Sequence, residues 1–203
     1  MRLKYSSRGA ALVAVLLIAA SASATVIVQL DLTDLVQRAG AVFVGKAVKT
    51  QMHWTADRKH IVTDTTFQVG TPLRGTRLGG QVTVRSLGGV VDGIGMRVSG
   101  SPSFKKGDEV LLFTEKRGAH RYVVGMTQGA YRVSRDAKNR ATVRVNLSGV
   151  SLARRTQKGL RLLHGHQVGG ARQHELSTFI SRIKKTMKAQ RLKRPGATPT
   201  GAR

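Results

Sequence analysis

Acid–base or metal chemistry in this 203-residue chain must draw on six histidines and ten carboxylates, because cysteine is absent. His174-Glu175 begins like a zinc-protease helix, but the residue four after His174 is Thr178, so the second imidazole one turn on is missing. His164 and His166 flank Gly165, and no third partner stands at a metal-ligand spacing. Gly40 to Lys46 satisfies the first seven positions of a phosphate-binding loop, yet Ala47 stands where a hydroxyl would ligate magnesium, and the intervening Ala-Val-Phe-Val reads as a strand. Gly93-Ile94-Gly95-Met96-Arg97-Val98 lacks the third glycine of a dinucleotide fingerprint, and no G-x-S-x-G nucleophile elbow occurs. These patterns predict no catalytic group, no cofactor and no metal. They leave open an envelope hydrolase whose histidine and acid meet only in the fold.

The positive signal is charge. Lys and Arg number 35 against 10 Asp and Glu, a formal net charge of +25. Residues 25–150 hold 19 basic and 9 acidic side chains, whereas residues 151–203 hold 13 and one, Glu175. Arg182, Lys184, Lys185, Lys188, Arg191, Lys193 and Arg194 form a candidate polyanion-binding surface. Such side chains bind nucleic acid, anionic glycan or lipid headgroups by neutralising charge and releasing counterions. The alternative is a solvated face on a basic protein. Aromatic residues make up 4%, too few for a platform on which single-stranded bases stack.

These side chains need elements to place them. Arg2, Lys4 and Arg8 precede an apolar run, Ala10 to Ala20, and Ala22-Ser23-Ala24 suits signal peptidase, so residues 1–24 are expected to be an export signal cleaved after Ala24. Asp31 to Ala39 predicts a short helix with Asp31 as N-cap and Leu32, Leu35, Val36 and Ala39 on one face. From Ala41 the apolar period becomes two, giving strands at Ala41 to Val48, His60 to Val69, Gln81 to Arg85, Glu109 to Thr114, Arg121 to Met126, Ala130 to Ser134 and Ala141 to Leu147. The Gly-rich connection from Leu87 to Ser103 is long for a compact domain, and Gly93, Gly95, Met96 and Arg97 are its candidate ligand-contacting residues. Ser151 to Gly170 shows no clear period. Leu176, Phe179, Ile180, Ile183 and Met187 then stripe one face of a helix over Glu175 to Gln190. Residues 195–203 have the composition of a disordered tail.

Leu35-Val36, Ala39, the run Ala41-Val42-Phe43-Val44-Gly45-Lys46-Ala47-Val48, Thr65 to Val69 and Leu73-Arg74-Gly75 resemble the opening of netrin-like and metalloproteinase-inhibitor domains. The stretch from Leu87-Gly88-Gly89 through Gly107-Asp108-Glu109 to Phe113 resembles a set of uncharacterised exported bacterial proteins. The first resemblance implies an OB-type barrel with flanking helices. It does not carry over zinc chelation by an N-terminal cysteine, since the expected mature terminus is Thr25 and the chain has no cysteine.

The expected fold is therefore mainly β: an antiparallel OB-like barrel of about five to seven strands, with a short N-terminal helix and a C-terminal amphipathic helix. Residues 25–150 would form the barrel and 151–194 a basic segment whose helix packs on it. The expected function is that of an exported, periplasmic or extracellular, non-enzymatic binding module for a protein, peptide or glycan, with polyanion binding and an unrecognised hydrolase as alternatives. No membrane-spanning segment is expected after signal cleavage.

Overall fold

The computed structural model describes residues 25–163 and 173–192. The expected export signal, His164, His166, Lys193, Arg194 and the expected disordered tail lie outside these residues.

Among the described residues, two helices flank the strands. Strand β1 (Thr25–Val28) leads into helix α1 (Leu32–Arg38), which starts where expected: Asp31 accepts a hydrogen bond from the Asp34 amide, and Asp34 returns one to the Asp31 amide. In this reciprocal cap each carboxylate accepts from the other residue's amide, which satisfies two amides that a helix start leaves open. Arg74 closes the other end by donating to the carbonyls of Val36 and Ala39. Strands β2 (Ala41–Trp54) and β3 (Ile61–Arg74) are longer than their alternation predicts, because three register shifts in their pairing bend them without ending the ladder. Strand β4 (Gln81–Leu87) pairs with β3. A hairpin, β5 (Gly89–Val91) and β6 (Ile94–Met96), follows.

Strand β7 (Glu109–Arg117) lies on the far side of β2. Its other edge is shared by β8 (His120–Val123) and β9 (Ala130–Arg135), two antiparallel pieces separated by a short 3-10 turn, Met126–Gly129. Strand β10 (Ala141–Val145) pairs with β9, and β11 (Val150–Thr156) pairs in parallel with β1 and antiparallel with β12 (Gly159–Leu162). The two-residue β13 (His174–Glu175) joins β10 and leads into helix α2 (Leu176–Leu192).

The expected barrel is not closed. The described strands form sheets of eight, three and two, more than the five to seven expected. β4, at one edge of the large sheet, comes up against β8 without a hydrogen-bonded ladder between them. Closure fails because β8 offers only four residues before Gly125, at a φ of 64°, turns the chain away.

Two cores sit on opposite faces of the large sheet. Val42, Val44, Leu111 and Phe113 face the helices, where they meet Leu35 and Val36 of α1 and Phe179, Ile183 and Met187 of α2. Phe43, Ala47, Val110 and Leu112 face inward with Phe67, Val69, Val84 and Phe104. The lack of polar residues in the first part of β2, Ala41 to Gly45, follows directly, since a stretch buried on both faces has no solvent side to mark. Phe67 meets Phe104 edge to face at 5.1 Å, so the far end of the Gly-rich connection is anchored in the inner core.

Candidate functional site: a cleft beneath the glycine-rich hairpin

The connection from Leu87 to Ser103 is held in place rather than loose. Asp92 and Gly93 both have positive φ, 51° and 77°, and form the two-residue turn of the β5–β6 hairpin. Gly88 is required at its entry: its φ is 100°, and a Cβ there would stand 2.8 Å from the Met96 carbonyl oxygen. The Gly88 carbonyl accepts from Thr63 Oγ1 at 2.6 Å, and its amide donates to the Ile61 carbonyl at 2.8 Å. The Leu87 amide donates to Ser101 Oγ at 3.0 Å, the Val90 amide reaches Met52 Sδ at 3.3 Å, and the Thr127 amide donates to the Gly100 carbonyl at 2.9 Å.

This anchoring leaves a cleft of about 400 Å³ between the hairpin, the following coil and the open end of the inner core. Its lining mixes hydroxyls (Ser86, Ser99, Ser101 and Ser103) with the side chains of Met52, Met96, Val98 and Phe104. The charged lining groups are Arg97 and Arg132. Arg97 is exposed, while Arg132 is tied to Asp108 by an ion pair at 2.7 Å. Of the four expected loop contacts, Met96 and Arg97 line the cleft; Gly93 lies in the turn and Gly95 in β6, and neither lines it. The serines were not singled out by sequence. Asp92-Gly93 was the available signal, because that pair between short apolar segments marks a tight hairpin.

The helix surface is a second, separate feature. Arg182, Lys184, Lys185, Lys188 and Arg191 are all exposed on α2, while Phe179, Ile183 and Met187 are buried beneath it. Among the described residues none of the five pairs with a carboxylate; Arg182 lies over the Phe179 ring, 6.0 Å from its centre. Lys193 and Arg194 lie outside the described residues.

Among the described residues, His53 meets an acid. His53 Nε2 lies 3.0 Å from Asp64 Oδ2, and its Nδ1 lies 3.0 Å from the Trp54 carbonyl oxygen. Arg85 grips the same carboxylate with Nε at 2.8 Å and Nη2 at 2.6 Å. Nδ1 faces an acceptor, and Nε2 faces both the Asp64 carboxylate and, at 3.4 Å, the Arg85 Nη2 donor, so the two acceptors favour the imidazolium and the guanidinium opposes it. The Asp64 hydrogen bond, helped by the Trp54 carbonyl, raises the His53 pKa; the Arg85 hydrogen bond foremost lowers that of Asp64. These three side chains do not line the cleft.

Gly40 to Lys46 runs into β2, as its apolar pattern implied. His174-Glu175 is a sheet residue pair ahead of α2, with the Glu175 carboxylate accepting from the hydroxyls of Ser177 and Thr178. Among the described residues, no group of three or more histidines and carboxylates is placed to hold a metal, and no helix is long and apolar enough to cross a membrane. Comparison with protein-family models, with curated proteins and with solved structures found no match to this chain.

Proposed function

We propose that the chain is an exported, periplasmic or extracellular, non-enzymatic binding module whose ligand seat is the cleft beneath the β5–β6 hairpin. The cleft itself is the observation that supports this reading. Its hydroxyls offer both donors and acceptors, its two methionines supply an adaptable apolar wall, and among the described residues its lining holds no imidazole, carboxylate or thiol. That inventory favours recognition over bond-breaking. A short peptide segment fits it best, since hydroxyls match backbone amides and carbonyls while the methionines accept varied side chains. Arg97 favours an acidic peptide.

Selection of displayed peptides against the full chain tests this. Enriched peptides should be acidic, and Arg97→Glu should weaken them by about tenfold, the equivalent of one charge-assisted hydrogen bond. Enrichment that survives both Arg97→Glu and Ser101→Trp would place the seat elsewhere and overturn the reading.

The five exposed cations of α2 support a second reading, polyanion binding. Heparin affinity should then fall steeply with salt, and Lys184→Gln with Lys188→Gln should flatten the slope by about two counterions. An unchanged slope would exclude α2 as the contact.

A further inference from the structure

A second cavity, about 330 Å³, opens at the other end of the inner core, between the turn joining β3 to β4 and strand β8. Its lining includes Gly75, Thr76, Arg77, Gly80 and Arg121, and no carboxylate. Two of its groups are incompletely satisfied. Arg121 is half-buried, on the same side of β8 as the core residue Val123, and among the described residues its side chain makes one hydrogen bond, from Nη1 to the buried Thr114 Oγ1 at 3.2 Å. Among the described residues no carboxylate pairs with it, so most of its five donor sites are left over. Thr76 Oγ1 is buried and has no hydrogen-bond partner among the described residues. A cation held partly out of water beside an orphaned hydroxyl is costly unless something supplies acceptors and negative charge.

The turn is shaped for close approach. Gly75 has a φ of 61°, and a Cβ there would stand 2.3 Å from the Gly40 carbonyl oxygen, so only glycine lets the turn sit against the start of β2. A Cβ at Gly80 would stand 3.0 Å from Arg77 Cγ and 3.6 Å from its Nε, so the Arg77 side chain lies back along the turn. Arg77 has no carboxylate partner among the described residues either.

We propose that this cavity is a binding site for a tetrahedral oxyanion, a phosphate or sulfate group, held by the guanidinium groups of Arg77 and Arg121 and the hydroxyl of Thr76. Guanidinium forks match such an anion with paired hydrogen bonds, and the hydroxyl donates to a further oxygen. The group comes either as the free ion or as the end of a phosphate or sulfate ester. The site is independent of the cleft and of α2.

The test is an amide chemical-shift titration of the full chain, at constant chloride, with inorganic phosphate, inorganic sulfate and glycerol phosphate. Saturable shifts confined to Thr76, Arg77, Gly79, Gly80 and Arg121 are expected. Arg77→Gln and Arg121→Gln should each weaken binding about tenfold, and Thr76→Val should weaken it about threefold. Lys184→Gln with Lys188→Gln should leave it unchanged. Tighter binding of glycerol phosphate would mark an ester as the source and tighter binding of the inorganic ions the free anion; either supports the site. Arg77 is on the exposed turn, so its variant reads the site even if Arg121→Gln fails to fold. Linear shifts spread over α2, or equal affinity in the folded Arg77→Gln variant, would overturn the proposal.

Discussion

At the scale of single residues, the His53–Asp64–Arg85 cluster links protonation to stability. A histidine whose folded pKa is raised contributes stability that is fully present below its unfolded value, about 6.5, and is lost as pH rises through the folded value. The melting temperature should therefore fall above about pH 6.5 in the wild type, whereas His53→Gln should be flat over that interval. Asp64 has the opposite sign: its folded pKa is lowered, so its contribution is present above about pH 4 and is lost as pH falls through the folded value. Asp64→Asn should cost about 2 kcal/mol at pH 7, because it leaves the largely buried Arg85 without its anion. Chemical denaturation at pH 7 measures that figure, and a loss close to zero would mean the cluster is solvated. In the helix-side core, burial pushes the Tyr131 hydroxyl up to about 12.

At the scale of elements, what sequence revealed depended on which faces each element buries. Helix α1 was legible because a capping aspartate precedes a short apolar stripe, and α2 because its stripe is continuous over about three turns. The first part of β2 was legible as an apolar run, but its extension to Trp54 was not, since there the regular pairs are made by mostly polar residues with no buried face to set an apolar alternation. β1 and β11 escaped notice because their pairing is parallel and nonlocal, and β11 mixes buried Leu152 and Ala153 with three exposed residues. The cleft was half legible: the Gly-rich connection marked its roof, but its serines come from several segments that only the fold gathers. Gly88 is the hinge of that assembly. Gly88→Ala should displace the hairpin by pushing on the Met96 carbonyl and should lower stability by about 1 to 3 kcal/mol, read by thermal unfolding. A wild-type melting curve for this variant would mean that the hairpin is not pinned at Gly88.

At the scale of the whole molecule, the central strands β2 and β7 of one large sheet are covered on both sides, with a helical core on one and an aromatic core on the other. With no cysteine, these two cores carry the stability that disulfides supply in many small exported domains. The arrangement also separates three surfaces: the cleft at one end of the inner core, the Arg77–Arg121 cavity near the other, and the cationic face of α2 over the outer core. Three methionines report on this division, because Met52 and Met96 line the cleft while Met187 lies buried under α2.

The central proposal, that the cleft is the ligand seat, is tested most directly by methionine methyl resonances of the full chain during titration with an acidic peptide taken from the selection. Saturable shifts of Met52 and Met96, with Met187 unmoved, are the predicted result. Shifts of Met187 alone, or none at Met52 and Met96 while the peptide binds, would contradict it.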